Sequence, residues 1–258
     1  MSSSSTNGSA SKPLHGQVAL ITGSSRGIGR AIAIRLAHDG ARVVINHSNT
    51  PAEADQTKSH IIGAGGSAIV VKADVADKGD VERLHQASVE AYGSVDILVN
   101  NAAILQTSSF FDLTGDEWDR VMAVNVRGMF LCSRAVLPSM IERRRGVIVN
   151  ISSGAALHGG PGSDPSPCYA ASKAAEIGFT YALAKNVAQH GVRVNCVAPG
   201  QIDKQALAPD ATRSNAGTLL GRSGHPGEVS AVVAFLCSLD SSFVIGQVIC
   251  VNGGHYLR

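Results

Sequence analysis

Cysteine is scarce in this sequence, and the few cysteines form no recognisable pattern. There are five in 258 residues and no C-x-x-C pair; they are Cys132, Cys168, Cys196, Cys237 and Cys250. This odd, scattered set argues against a disulfide framework and against a structural zinc site, and we predict no metal site. Because chains without disulfides are typical of reducing compartments, we expect a cytoplasmic protein.

The sequence also has few charged residues and no long apolar run. Only 16% of the residues are charged and the formal net charge is +2, without the basic stripe of a nucleic-acid-binding protein. The one basic run, Arg143 to Arg145, is interpreted as a solvated helix end. No apolar run approaches the roughly 18 residues that a membrane span needs. We therefore expect neither nucleic acid nor a membrane as a partner.

The first 13 residues lack the features of a targeting signal. They are rich in serine, contain one Lys and no Arg, and have no apolar stretch of the kind that a secretory signal requires. We expect residues 1–13 to form a disordered tail that precedes the folded part of the chain.

From residue 17 onwards, short apolar runs alternate with segments of helical periodicity. Seven strands are predicted, at 17–22, 42–46, 67–72, 95–100, 146–151, 192–197 and 247–251. Helices are predicted at 27–38, 51–62, 77–92, 116–143 (interrupted by Pro138), 168–190 and 225–237. Strands that are apolar on both faces belong to parallel sheets covered by helices. We therefore predict one α/β domain over residues 14–258, a doubly wound Rossmann-type sheet of seven parallel strands with helices on both faces.

Tyr169 and Lys173 lie one turn apart on the predicted helix 168–190. Residues at i and i+4 share a helix face, so the ammonium can lie beside the phenol. A free phenol keeps its proton until about pH 10, and a neighbouring positive charge makes it usable for proton transfer near neutral pH. The spacing also arises by chance, in which case the tyrosine only packs on the lysine side chain.

A glycine-rich turn, Gly23-Ser-Ser-Arg-Gly27-Ile-Gly29, joins the first strand to the first helix. Glycines allow the backbone to turn tightly and to approach a pyrophosphate, which then lies at the positive end of the helix. The spacing G-x-x-x-G-x-G differs from the usual G-x-G-x-x-G, but its position between a strand and a helix makes the prediction of a dinucleotide site strong.

The second strand ends at Asn46-His47-Ser48, where a site for NAD usually has an acidic residue that binds the ribose 2′-hydroxyl. No acid is present there, whereas Arg26 lies inside the glycine turn and can meet a 2′-phosphate through its charge and fork geometry. The sequence therefore predicts NADP(H) as the cofactor.

Together, these residues resemble the short-chain dehydrogenase/reductase family, in its 3-oxoacyl reductase or ketoreductase-like branch. The resemblance covers about residues 16–254. It is carried by ordered motifs: Thr22-Gly23-x-x-x-Gly27-Ile28-Gly29, Asp74, Asn100-Asn101-Ala102-Ala103, Asn125, Ile151-Ser152-Ser153, Tyr169-x-x-x-Lys173 and Pro199-Gly200. The second alanine of the Asn-Asn-Ala-Ala run replaces the glycine that is usual in the family.

The resemblance implies a catalytic tetrad of Asn125, Ser153, Tyr169 and Lys173. In it, Tyr169 exchanges a proton with the substrate oxygen, Ser153 hydrogen-bonds the same oxygen, and Lys173 assists Tyr169 and holds the nicotinamide ribose. Asn125 keeps a water in a proton relay. The implied cofactor-binding residues are Gly23, Ser25, Arg26, Gly27, Ile28, Gly29, Asn46, His47, Ser48, Asp74, Val75, Asn101, Ala102, Ala103, Tyr169, Lys173, Pro199, Gly200 and Ile202.

Several roles stay open at this point. Ser152 competes with Ser153 for the hydroxyl role, and Asn125 could only cap backbone groups. Asp74 could contact adenine or cap the following turn. Four histidines lack ligand spacing and are assigned no specific role, only solvated or capping positions; they are His158, His190, His225 and His255.

Two departures from the family pattern concern the substrate. Ser153 and Tyr169 are 16 positions apart, about three more than is common, and the extra residues fall in a Pro/Gly-rich loop. Lys204 stands where the family often has a threonine that contacts the carboxamide. The segments 154–167 and 201–224 are the two long interruptions of the pattern, and loops of this length in compact domains are usually functional lids or disordered segments.

The sequence thus predicts an NADPH-dependent oxidoreductase that reduces a ketone or aldehyde, reversibly, with Tyr169 as general acid and base. A carrier-linked 3-oxoacyl reductase is one alternative, and a non-catalytic dinucleotide-binding sensor or scaffold is another. The resemblance also implies a homodimer or homotetramer, built through the helix 116–143 and the helix of Tyr169, with the C-terminal strand at a second interface.

Overall fold

The computed structural model describes residues 12–106, 108–159, 166–203 and 217–257, so most of the expected tail lies outside it. The strands are β1 (Val18–Ile21), β2 (Arg42–His47), β3 (Ser67–Lys72), β4 (Ile97–Asn100), β5 (Gly146–Ile151), β6 (Val192–Pro199) and β7 (Val248–Val251). The helices are α1 (Gly27–His38), α2 (Pro51–Gly63), α3 (Lys78–Tyr92), α4 (Gly115–Met122), α5 (Gly128–Glu142), α6 (Ala155–His158), α7 (Pro167–Val187) and α8 (Pro226–Cys237).

All seven strands form one parallel sheet in the order β3-β2-β1-β4-β5-β6-β7. The predicted fold class is confirmed. The strand order reverses between β1 and β4, and in such sheets the carboxyl ends of the two strands at the reversal flank a crevice that binds ligands.

A helix layer covers each face of the sheet. On one face, α1, α2 and α8 pack on residues such as Ile21, Ile45 and Val99. On the other, α3, α5 and α7 pack on the alternate positions, including Leu98 and Ile148. Since neighbouring positions of a strand point to opposite faces, both layers require apolar residues, which explains the continuous apolar runs in the sequence.

The long helix is interrupted at a different place from the one predicted. Pro138 lies inside α5, which continues past it, and the irregularity is a π-helical turn at Ala123–Arg127 that joins α4 to α5. A proline removes only its own N–H, and α5 is anchored to the sheet on both sides of it through Leu131 and Met140. The π-helical turn carries Asn125, and such turns often occur at functional sites.

Smaller differences concern the ends of elements. The strand predicted at 95–100 begins at Ile97, and His225 precedes α8 as its N-cap. The stretch 154–167, predicted as irregular, begins with α6. Lys204, which replaces the threonine that often contacts the carboxamide in the family, lies outside the described residues, as does most of the Pro/Gly-rich loop.

Arg143 and Arg145 do not form a simple solvated helix end, and that interpretation is wrong. Both guanidinium groups donate to Oδ1 of Asp96, at 2.5 and 2.9 Å, and the other oxygen of Asp96 accepts from the Val18 backbone N–H at 2.9 Å. Burial alone would raise the pKa of Asp96, but these hydrogen bonds outweigh it and the pKa is lowered. The cluster ties the start of β1 to the end of α5.

The combined helix Gly115–Glu142 has 28 residues, and the mean hydropathy of its most apolar 18-residue window is 1.2. By length and composition alone it could cross a membrane. Its apolar side chains Leu131, Val136 and Met140 are buried in the layer beneath the sheet, and a core helix passes the same test.

Candidate active site

A cleft of about 1190 Å³ opens at the carboxyl ends of β1 and β4, where the strand order reverses. Every residue predicted to bind the cofactor lines it, from the glycine turn after β1 to Pro199, Gly200 and Ile202 after β6. Ser153, Tyr169 and Lys173 line the same cleft. The fold therefore brings segments that are far apart in the sequence to one surface.

The glycine turn is shaped by two close approaches. Gly23 has a φ of +61°, which favours glycine, and a Cβ atom at Gly29 would lie 2.4 Å from the Gly23 carbonyl oxygen. The side-chain amide of Asn101 donates to the carbonyls of Thr22 and Gly23 at 2.9 Å each. These two hydrogen bonds from Asn101 hold the backbone of the turn that precedes α1 against the end of β4.

Asn46 lines the cleft, but its side chain points into the protein and is only 1% exposed. Its Oδ1 accepts from the Gly23 backbone N–H at 3.1 Å, and its Nδ2 donates to the Ala73 carbonyl at 3.0 Å. The amide thus connects the ends of β2 and β3 to the glycine turn.

Charged groups of opposite sign occupy different parts of the cofactor region. Arg26 is exposed at the N-cap of α1, and within the described residues its side chain has no hydrogen bond or ion pair. Asp74, the only acidic residue among those described that line the cleft, accepts from the Ala76 N–H at 3.0 Å and from Arg120 at 2.7 Å. The capping role that was open for Asp74 is therefore present, and its carboxylate is already paired.

These residues fit a dinucleotide. The glycine turn allows the backbone N–H groups at the N-terminus of α1 to approach an anion, which is favoured there. Arg26 adds a positive charge beside them that has no ion-pair partner among the described residues. The only described acid in the lining is compensated by Arg120, so no free negative charge there opposes a phosphate.

Tyr169 and Lys173 share one face of α7, as the spacing predicted. The Lys173 Nζ lies 5.7 Å from the centre of the Tyr169 ring. Lys173 is 2% exposed, and its ammonium donates to the Ile151 carbonyl and to Oε1 of Glu176, both at 2.8 Å. The end of β5 therefore fixes the lysine, while the half-buried tyrosine faces the cleft.

The two serines after β5 have different surroundings. Ser152 is buried and its hydroxyl donates to the Lys173 backbone carbonyl at 2.8 Å. Ser153 is half-buried, and its hydroxyl accepts from the Ala155 N–H at 3.2 Å, which leaves its own proton for another acceptor. This geometry favours Ser153 as the residue that faces a substrate.

Asn125 is buried in the π-helical turn and is absent from the residues that line the cleft. Its amide pairs with both backbone groups of Ile104, at 2.9 and 3.0 Å, and donates to the Ser172 hydroxyl at 2.9 Å. The side chain thus caps backbone, as the alternative interpretation held, and joins the segment after β4 to α7 beside Lys173.

Glu176 was missed in the sequence, although it lies at i+3 from Lys173 and so on the same face of α7. It is 3% exposed, and its contact with the lysine is a buried ion pair. Burial raises the pKa of Glu176, an effect larger than the opposing attraction of Lys173. For Lys173, burial acts to lower the pKa, but the charges of Glu176 and Tyr169 outweigh it and the pKa is raised.

Two histidines that were assigned no role also line the cleft. The rings of His158, at the end of α6, and His255, near the C-terminus, stack with centres 5.2 Å apart, and Tyr256 lies 4.9 Å from the His158 ring. They are 97 positions apart in the sequence, so no local spacing could reveal the pair. His225, in contrast, has the predicted capping role, since its ring accepts from the Gly227 N–H at 2.9 Å.

Known proteins are similar to this chain in sequence and in structure. Residues 17–215 match the short chain dehydrogenase family. The chain is 40% identical to a 3-oxoacyl-[acyl-carrier-protein] reductase of Synechocystis, over 93% of this chain and 97% of that protein. It is 37% identical to the 3-oxoacyl-[acyl-carrier-protein] reductase of Staphylococcus aureus, over 93% of this chain and 98% of that protein.

Among solved structures, a mutant of a short-chain dehydrogenase/reductase of Serratia marcescens superposes with a TM-score of 0.86. It is 33% identical and covers 94% of this chain and 99% of its own. A dehydrogenase/reductase of Sinorhizobium meliloti gives a TM-score of 0.85 at 34% identity, over 96% of this chain and 98% of its own.

The chain belongs to the short chain dehydrogenase family. It is accordingly an oxidoreductase, and the family uses a nicotinamide dinucleotide, acts on small molecules and is generally oligomeric.

Proposed function

We propose that this protein is an NADPH-dependent reductase of a ketone or aldehyde, which also catalyses the reverse oxidation. The observation that carries the proposal is the meeting of Ser153, Tyr169 and Lys173 in the cleft that the glycine turn also lines. A binding protein without turnover has no use for a phenol beside a buried ammonium, so the non-catalytic alternative is less well supported.

The chemistry of the cleft follows from these three side chains. A nicotinamide bound in the cleft would supply a hydride to the carbonyl carbon of the substrate. Tyr169 gives its proton to the carbonyl oxygen of the substrate, and Ser153 donates a hydrogen bond to the same oxygen as charge develops there. The Lys173 ammonium stabilises the phenolate that Tyr169 becomes. Ser152 and Asn125 hold α7 in place, Ser152 by donating to the backbone carbonyl of Lys173 and Asn125 by donating to the Ser172 hydroxyl.

The preference for NADP(H) is supported by Arg26. Its guanidinium is unpaired within the described residues, and the amide of Asn46, at the position where an acid would select NAD, faces inward. We propose that Arg26 binds the 2′-phosphate and that the other residues predicted for the cofactor contact it through the cleft.

A carrier-linked 3-oxoacyl reductase is the second candidate, because two relatives at 37–40% identity bear that name. The two candidates share the chemistry and differ in the substrate. NADPH oxidation with 3-oxoacyl thioesters, measured beside a panel of small ketones and aldehydes, distinguishes them. Preference for the thioester by kcat/KM would establish the second candidate in place of the first.

The proposed chemistry is tested by Tyr169→Phe, which removes the hydroxyl and keeps the ring. We expect kcat for carbonyl reduction to fall by a factor of about 10² to 10⁴, the usual contribution of a general acid, while NADPH still binds. NADPH consumption and fluorescence titration measure the two effects. Tyr92→Phe, at the end of α3 and outside the cleft lining, is the matched control and should behave as wild type. Full activity of Tyr169→Phe would contradict the mechanism.

The assembly and location belong to the same proposal. We propose a homodimer or homotetramer that acts on a small-molecule substrate in the cytoplasm, without nucleic acid or membrane as partner. The exposed aromatic side chains on the long helix and on α7, including Phe130 and Tyr181, support association through these helices.

A further inference from the structure

Glu176 is a buried carboxylate for which the proposed chemistry has no use. It is enclosed under α7, and its backbone carbonyl accepts from Thr180, which in turn accepts from Asn150 of β5. Burial of an acid is costly unless its charge is compensated. Because burying this carboxylate beside the reacting groups costs free energy, we expect Glu176 to have a function there.

The contacts of its two oxygens are unequal. Oε1 accepts from the Lys173 ammonium at 2.8 Å, whereas Oε2 is buried and has no hydrogen-bond partner among the described residues. Lys173 is therefore the one cation in contact with this carboxylate in the part of the chain described. The ammonium is held from two sides, by Glu176 and by the Ile151 carbonyl, and its distance to the Tyr169 ring is fixed by both.

We propose that Glu176 is a positioning residue, whose carboxylate holds the Lys173 ammonium at the end of β5 and offsets part of the positive charge that Lys173 exerts on Tyr169. The inference rests on the function proposed above. An ion pair acts on a nearby phenol more weakly than a lone ammonium, because the carboxylate cancels part of the ammonium's charge. Glu176 thereby favours the protonated tyrosine that carbonyl reduction requires.

Few other ionisable groups face this pair. Tyr169 and Lys173 lie on its own helix, and β6 contributes the thiol of Cys196, whose pKa burial raises to about 12, so it is neutral. Asn150 at the end of β5 and Ser152 just after it are the polar residues on that side, and neither titrates near neutral pH. A change of charge at Glu176 therefore acts mainly on Lys173 and Tyr169.

The test uses two substitutions. Glu176→Gln removes the charge but keeps the size and an oxygen that can accept from the ammonium, whereas Glu176→Leu removes both. For wild type and both variants, kcat/KM for carbonyl reduction is measured against pH, and the Kd for NADPH is measured by fluorescence. Glu142→Gln, the same change at an exposed position of α5, is the matched control.

We expect the fall of kcat/KM at high pH to move to lower pH by about one unit in both variants, because the full charge of Lys173 then acts on the phenol. The Kd for NADPH should be retained in Glu176→Gln and rise several-fold in Glu176→Leu, which no longer restrains the ammonium. The pH profile of Glu142→Gln should match that of wild type. If the Leu variant does not fold, the pH profile of Glu176→Gln decides alone.

A pH profile of Glu176→Gln that coincides with that of wild type would overturn the inference, even if the variant has a lower melting temperature, since a purely structural role would give that result. Such an outcome, with Tyr169→Phe inactive, leaves the proposed function standing. Activity of Tyr169→Phe equal to that of wild type would instead refute the proposed function, and this inference with it.

Discussion

At the scale of single residues, the proposed preference for NADPH over NADH rests on the charge of Arg26. Its guanidinium lies at the N-cap of α1 and is unpaired within the described residues, so a 2′-phosphate would be its first anionic partner. NADH has no such phosphate and gains nothing from this side chain.

We therefore expect Arg26→Ala to raise the KM for NADPH roughly 10- to 100-fold, the value of one or two charge-assisted hydrogen bonds, and to leave the KM for NADH nearly unchanged. Steady-state kinetics with each cofactor measure the change. Arg30→Ala, one turn further along α1 and outside the cleft lining, is the matched control. Unchanged preference for NADPH in Arg26→Ala would show that another group selects the cofactor.

Single residues also show where sequence reasoning ends. The pairing of Tyr169 with Lys173 was predictable because both lie on one helix, where spacing fixes the face. The same rule places Glu176 beside Lys173. A lysine and an acid three residues apart ordinarily form a solvated pair on a helix surface, so the spacing alone does not indicate a buried ion pair. The stacking of His158 on His255 could not be predicted from the sequence, because only the tertiary fold brings their segments together.

At the scale of elements, Asp96 holds the amino-terminal edge of the sheet together. It pairs with Arg143 and Arg145 after α5 and with the first residue of β1. We expect Asp96→Asn to lower the free energy of unfolding by about 2 kcal/mol at pH 7, because two charge-assisted hydrogen bonds to a buried acceptor are weakened. Urea unfolding followed by circular dichroism measures it.

The pH dependence of this effect has a defined sign. Since the folded-state pKa of Asp96 is lowered, its contribution is complete above the unfolded-state pKa near 4 and is lost as the pH falls through the folded-state value. The stabilities of Asp96→Asn and wild type should thus converge in acid. Asp119→Asn, at an exposed position of α4, should lose no stability at either pH. An equal difference between Asp96→Asn and wild type at pH 7 and in acid would contradict this account.

Elements were predictable in type and order, and less so in their irregularities. The strands and helices follow the apolar pattern, because both sheet faces are covered. Proline was the only visible reason to break the helix 116–143, yet Pro138 is accommodated within α5. The π-helical turn at Ala123–Arg127 has no signature residue; it coincides with the place where the Asn125 amide binds the backbone of Ile104.

At the scale of the whole molecule, apolar surface on the long helix and on α7 predicts association. Phe130 and Tyr181 are 41% and 45% exposed, and Trp118 of α4 is also exposed. We expect Phe130→Glu to shift the protein towards a smaller species, because a charge in an apolar interface is left unpaired. Light scattering coupled to size-exclusion chromatography measures the mass, with Ile62→Glu, an exposed position of α2, as control. Equal masses for Phe130→Glu and wild type would exclude this surface as the interface.

The overall architecture could be predicted from the sequence because parallel sheets impose one pattern throughout the chain. The substrate could not be predicted from the sequence, because three separate segments form the wall of the cleft: α6, the segment after β6 and the C-terminal residues around His255. No two of these segments are neighbours in the sequence, and each is short. Their chemistry becomes readable only once the fold has brought them together.

The inward amide of Asn46 limits how the proposed preference for NADPH could be changed to one for NADH, by engineering or by evolution. An aspartate at that position would turn a carboxylate towards the Ala73 carbonyl, where Asn46 now donates. It would also bury a negative charge at a site where the Asn46 amide contacts only backbone groups among the described residues. A single substitution there would damage the turn before it could bind a ribose. Ser48 is exposed at the cleft, so an acid introduced there could bind the ribose of NADH without disturbing the buried amide of Asn46.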